Sequence, residues 1–152
     1  MAAYDCAASF CSHASDAAKL SLKWPNDLLL DGRKLAGLLL ESGKGFGARD
    51  WVSISIGMNL VAAPEQDAIG QAAASLYETG ANPSPKDAAQ MFAACFVSRA
   101  NILAEEGFAA IRAQWLERAR GLGQSIIVRL PDEDLHGAAI GADLGDCVGL
   151  VR

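Results

Sequence analysis

The chain has 152 residues, enough for one hydrophobic core or for one core with a small appended module. It is 51% hydrophobic and 20% charged, the make-up of an ordinary soluble globular protein. The net charge of −5 supplies no bulk attraction to nucleic acid or to an anionic membrane, so neither partner is expected.

In chain order, residues 2–18 are alanine-rich, with apolar residues near helical spacing, and predict one helix. This opening stretch is too polar for a signal sequence or a membrane span. Leu20–Trp24 alternates with period two until Pro25 stops it, and Leu28–Leu30 resumes as a strand. Asp31-Gly32 is a tight-turn dipeptide, and Lys34–Glu41 returns as the antiparallel partner. The segment GKGFG (43–47) predicts a flexible connection to a strand over Trp51–Met58.

Residues 67–79 read as helical, ending at Gly80. Ser84, Pro85 and Asp87 form a helix start signal. Phe92, Cys95, Phe96, Ile102 and Leu103 then recur at the spacing of a long packed helix. Gly107 interrupts it, and a further helix is predicted from Phe108 to about Arg120. Three short strands follow, at 125–130, 135–142 and 147–151. The order of elements is α+β, a mixed or antiparallel sheet packed with helices. The division expected is a main domain over 1–120 and a small β module over 121–152.

Four scattered cysteines without a CxxC pair fit a reduced, cytoplasmic protein. Cys6, Cys11 and His13 match no common zinc spacing. GKGFG lacks the GxxxxGK[ST] phosphate-loop pattern, and His13 and His136 have no triad context.

The densest chemistry is KWPNDLLLDGRKLAG, residues 23–37. Pro25 ends a strand, so Asn26 and Asp27 fall where the chain bends. There they serve either as turn formers or as oxygen ligands for a polar group or divalent cation. Lys34 opens a strand with Ala36, Leu38 and Leu40 expected on its own side and Leu35 and Leu39 opposite. An ammonium there either snorkels to water or meets an anion, with Asp27 near enough to hold Mg²⁺ beside it. Gly37 leaves room for a ligand or another backbone.

Lys23–Glu41 closely resembles the central motif of the biotin–protein ligases, and SIGMNL (55–60) resembles their following Gly-x-Asn strand. SLYETG and the later GFAAIRAQWLERARGLGQSIIVRL and LHGAAIGADLGDCVGL fall in the family's order. The resemblance implies a class II synthetase-like catalytic domain followed by a partial SH3-like β module. It implies activation of biotin with MgATP to biotinyl-5′-adenylate, then transfer to a lysine of a biotin carboxyl carrier protein. By the same resemblance Lys34 is catalytic, contacting the biotin carboxylate and the α-phosphate. Lys23, Trp24, Asn26, Asp27, Gly37 and Asn59 bind substrate or nucleotide, with Asp27 the Mg²⁺ ligand. Sheet-mediated homodimers suit the family.

The family's GRGRxGR-type loop is not found, and Ser55 stands where the family commonly has glycine. The expectation is therefore a ligase truncated at the N-terminus and at the C-terminus, without a DNA-binding domain. The alternatives are an inactive fragment, a noncatalytic nucleotide- or carrier-binding module, and a lipoate-ligase relative.

Overall fold

Strand-forming alternation on either side of one tight turn builds the centre of the molecule. A computed structural model describes residues 1–45, 50–65, 71–129, 134–141 and 149–151. Four strands, β1 (Leu20–Lys23), β2 (Asp27–Leu30), β3 (Arg33–Lys44) and β4 (Asp50–Met58), pair antiparallel in the order β1-β2-β3-β4. Asp31 and Gly32 both have positive φ (48° and 75°), as a two-residue hairpin turn requires. A side chain at Gly32 would also overlap the Arg120 guanidinium, which rests on the turn.

Leu20 pairs with Leu30 and Leu22 with Leu28, so all four point to one face. There they meet Ala3 and Ala7 of α1 (Ala2–Phe10), together with Leu35 and Ala36. Each leucine so buried contributes roughly 1.5–3 kcal/mol. The alanines let the helix approach the sheet closely. Asp5 of α1 pairs through both carboxylate oxygens with Arg99, at 2.5 and 2.7 Å. Arg99 lies on α3 (Pro85–Glu106) and also bonds Gln114 of α4 (Phe108–Arg118), so one guanidinium ties three helices together.

The helix expected over 2–18 is two. Its backbone turns extended at Cys11 (φ −65°, ψ 124°) and resumes as α2 (Ala14–Ala17) after an extended His13. Alanine propensity carries the first helix only to Phe10, and the polar Cys-Ser-His step lets the chain leave it.

The helix expected over 67–79 is also overturned within the described residues. The main chain of 72–74 bonds to Lys34, and only Leu76–Thr79 forms a short 3₁₀ turn, closing on a left-handed Gly80. Pairing with the sheet outweighs local helix preference there.

The long helix starts as expected, with Ser84 accepting from the Asp87 N–H at 3.2 Å and Pro85 in its first turn. Its apolar stripe is not wholly covered: Phe92 packs on the core, whereas Phe96 and Leu103 are exposed. The last helix ends at Arg118 rather than about 120.

Beyond it, β5 (Ser125–Arg129), β6 (Asp134–Gly141) and β7 (Gly149–Val151) form a separate three-stranded antiparallel sheet. Of the GKGFG segment, Gly43 and Lys44 belong to β3, and 46–47 lie outside the described residues. Parts of the three predicted late strands (130, 142 and 147–148) also lie outside them. Among the described residues no helix is long and apolar enough to cross a membrane.

Candidate active site

Antiparallel register sets Lys23, Asp27, Gly37 and Gly57 in one row across all four strands of the first sheet. Residues directly opposite share a face. That face is the one turned away from the leucine core.

Strict alternation would exclude Lys34 from the row, because it lies an odd number of positions from Gly37. A bulge changes this. Leu28 pairs with Ala36 while Leu29 pairs with Lys34, so one extra residue of β3 sits between them. The side expected for Lys34, shared with Ala36, is thus corrected: the bulge turns Lys34 toward Asp27 and Gly37.

Lys34 Nζ lies 2.7 Å from Asp27 Oδ1, with the side chains 30% and 13% exposed. The cost of an ammonium entering an apolar strand is met inside the chain, by a carboxylate on the adjacent strand. Neither snorkelling nor an external anion is needed to satisfy it in this state. The strand itself is less buried than its sequence suggested, since Leu39 and Leu40 are each 59% exposed.

Gly37 explains how the pair lies flat on the sheet. A Cβ there would sit 3.1 Å from Lys34 Cε, 3.2 Å from its Nζ and 3.3 Å from Asp27 Oδ1. The space expected above Gly37 is therefore occupied by this ion pair. The neighbouring Gly57 has nothing within 4 Å of its own Cβ position among the described residues. The two glycines make a floor of bare backbone beside a cation.

Asn26 and Asp27, alike in sequence context, do different work. The Asn26 side chain donates to the Leu38 carbonyl, and the Leu38 N–H donates back to the Asn26 carbonyl at 3.0 Å. Asn26 is thus a main-chain clamp between the bend and β3. Asp27 is the first residue of β2 rather than part of the bend.

Trp24, followed by a cis peptide bond to Pro25, lies beside them. With Leu22, Leu38, Leu40, Phe108 and Trp115 it lines a cavity of about 490 Å³ between the sheet and α4, to which Lys23, Asn26 and Asp27 also contribute. Asn59 stands apart from the row, its side-chain nitrogen donating to the carbonyls of Lys34 (3.3 Å) and Ala74 (3.0 Å).

No group of three or more His, Cys, Asp or Glu residues is placed to hold a metal among the described residues. Asp27 therefore offers a single carboxylate. That fits Mg²⁺ only when a ligand's phosphates supply further oxygens, the usual manner of its binding. Cys6 and Cys11 are engaged separately, donating to the carbonyls of Ala88 (3.6 Å) and Ala7 (3.4 Å). Burial pushes the Cys6 thiol up to about 11, with the nearby Cys95 and Asp5 adding to the effect.

Sequence reasoning missed Arg33, Glu78 and Gly57. Arg33 Nη2 lies 2.6 Å from Glu78 Oε2, and Glu78 Oε1 accepts the Ser75 N–H at 2.9 Å. The Ser75-x-x-Glu78 spacing is a capping-box signal, and it would have marked a chain start just after 74 rather than a helix through it.

Residues 12–59 match the family described as Biotin/lipoate A/B protein ligase family. The chain is 40% identical over 148 residues to the biotin–[acetyl-CoA-carboxylase] ligase of Paracoccus denitrificans, spanning 94% of this chain and 60% of that protein. Its fold superposes on the apo biotin protein ligase of Aquifex aeolicus with a TM-score of 0.72 at 19% identity, covering 99% of this chain and 69% of that one. The Aquifex enzyme in complex with biotin and ATP gives a TM-score of 0.67 at the same identity, covering 99% of this chain and 67% of that one. The matched span contains the hairpin, the Lys34–Asp27 pair and both floor glycines, and the fold is that of the biotin protein ligase catalytic domain. The chain thus matches the biotin/lipoate A/B protein ligase family model over 12–59 and is similar along most of its length to a biotin–[acetyl-CoA-carboxylase] ligase, of which it spans 60%.

Proposed function

We propose that the face carrying Lys34, Asp27, Gly37 and Gly57 activates biotin with MgATP and supports its transfer to a lysine of a biotin carboxyl carrier protein. The observation that carries the reading is a lysine ammonium held 2.7 Å from Asp27 above a side-chain-free floor. In the first step a biotin carboxylate oxygen attacks the α-phosphorus, and the bond to pyrophosphate breaks. Negative charge gathers on the α-phosphoryl oxygens, where a preorganised cation is worth most. Lys34 supplies that cation on leaving or sharing Asp27, and the bare backbone lets a flat ring system lie against the sheet.

Lys23 and Trp24 flank the nucleotide side, with Asn26 and Asn59 holding the backbone around them. Mg²⁺ brought in by the phosphates would meet the Asp27 carboxylate, and its chemistry is charge neutralisation. Residues 1–120 form the catalytic portion and 121–152 an SH3-like module in this reading, with homodimers built through the sheet. A reduced, cytoplasmic setting suits such chemistry, and no nucleic-acid partner is part of it.

Biotin-dependent exchange of labelled pyrophosphate into ATP tests this directly. Exchange is expected at saturating MgATP, and Lys34→Ala should lower it about 10²–10³-fold, the usual loss for one transition-state donor. Unchanged exchange in Lys34→Ala removes the role given to Lys34. No exchange by the unaltered chain, with biotinyl-5′-adenylate still bound in calorimetry, selects the noncatalytic binding reading. No exchange and no binding leaves the inactive-fragment reading. The matched family joins biotin with lipoate ligases, so lipoate-dependent exchange exceeding that with biotin would instead select the lipoate-ligase reading.

A further inference from the structure

Lys34 does not draw its position from β4. Pairing between β3 and β4 begins only at Ala36, two residues later. On that side the main chain of Lys34 is held by 72–74: its N–H donates to the Ala72 carbonyl and its carbonyl accepts from the Ala74 N–H, both at 2.9 Å. The side chain of Asn59 adds a third bond, to the Lys34 carbonyl at 3.3 Å.

What holds 72–74 in turn is a small polar assembly centred on Glu78. One carboxylate oxygen closes the turn on the Ser75 N–H (2.9 Å), and the other meets Arg33 at 2.6 Å. Arg33 reaches from the residue next to Lys34, and its other nitrogen donates to the Ala73 carbonyl at 3.5 Å. Beneath them Ala74 and Leu76 are fully buried.

Magnitude decides what this assembly is for. The Arg33 and Glu78 side chains are 37% and 39% exposed, and an exposed pair of this kind contributes about 0–1 kcal/mol to global stability. Its geometric effect is concentrated at one place, the backbone that carries Lys34.

We propose that Glu78 is a positioning residue for Lys34, acting through Arg33 and the turn at Ser75 to hold 72–74 against the start of β3. This rests on the reading of Lys34 as the contact for the carboxylate and α-phosphate. Anion recognition on the sheet face is thereby tied to the 71–80 segment. Glu78 touches neither substrate nor the reacting atoms.

The test compares the unaltered chain with Glu78→Gln, Arg33→Gln, the double variant, and Asp16→Asn, which breaks the Lys19–Asp16 pair elsewhere on the surface. Two readouts need no ligand: hydrogen exchange at the Lys34 and Ala74 amides, and acetylation of Lys34 relative to Lys23 by an N-hydroxysuccinimide ester. Glu78→Gln should change both by about two- to fivefold, the span an exposed ion pair commands. Asp16→Asn should change neither, and the melting temperatures near neutral pH should differ by no more than a few degrees, the span of about 0–1 kcal/mol.

The double variant should fall short of the sum of the single ones, because the two substitutions share the Arg33–Glu78 contact; fully additive effects would overturn the path through Arg33. Identical exchange and labelling in Glu78→Gln and the unaltered chain would overturn the proposal. If Glu78→Gln does not fold, Arg33→Gln decides between the same two outcomes. In pyrophosphate exchange, Glu78→Gln should lower kcat with the KM for MgATP little changed; a change in KM alone would overturn the assignment. Absence of exchange in the unaltered chain defeats the adenylation reading, while the labelling ratio still decides the role of Glu78.

Discussion

Gly37 and Gly57 are neighbours on β3 and β4, yet a methyl group meets different surroundings at each. At Gly37 it presses on the Lys34–Asp27 pair from 3.1–3.3 Å, so Gly37→Ala should displace that pair and weaken ligand binding, at a stability cost of about 1 kcal/mol or less. At Gly57 it enters open space, so Gly57→Ala should leave the melting temperature nearly unchanged while weakening ligand binding. Chemical denaturation together with calorimetric titration of biotinyl-5′-adenylate separates the two effects. Lys34 is legible in sequence because an ammonium at the head of an apolar strand demands an explanation. Its partner reads there only as a neighbour, since the pair depends on a bulge between Leu28 and Leu29 that alternation cannot reveal. Asn26 and Asp27 read alike as letters, and register alone separates the clamp from the carboxylate.

The 71–80 segment shows how an element can be misread while its boundary is read correctly. Alanine-rich composition suggests helix, and Gly80 does close the turn in the left-handed region. The intervening residues are extended because Lys34 offers them a strand to pair with, a partner about 40 positions away that no local pattern contains. The same segment carries a pH dependence. The Glu78 carboxyl is held below its ordinary value by Arg33 first and by the Ser75 N–H second. A lowered carboxyl pKa gives stability that is present above the unfolded value of about 4.3 and is lost as pH falls through the lower folded value. Acid melting curves of Glu78→Gln should therefore lack part of the loss that the unaltered chain shows below that range. Parallel curves for the two proteins would contradict this. The four-strand hairpin series is legible for a simpler reason: each connection is local and marked by Pro, Gly or Asp-Gly.

At the scale of the molecule, the helices are tied to one another by contacts distant in sequence. Asp5 and Arg99 lie 94 residues apart, and nothing in the local sequence of either foretells the pair. The incomplete cover of α3 is equally hidden, because a helical stripe predicts a face to bury but not what will bury it. The order of strands has its own outcome. Among the described residues β4 ends the first sheet, and its sequence from Val52 to Met58 carries neither charge nor proline to blunt the outer rim. Val52 and the adjoining Leu39 and Leu40 are exposed around it. If the proposed homodimers form through this rim, the mass read by light scattering should rise from one chain toward two as concentration increases. A lysine at the middle of the rim, Ile54→Lys, should move that rise to higher concentration while leaving the Lys34–Asp27 face intact. An equal rise in both proteins would place the sticky surface elsewhere.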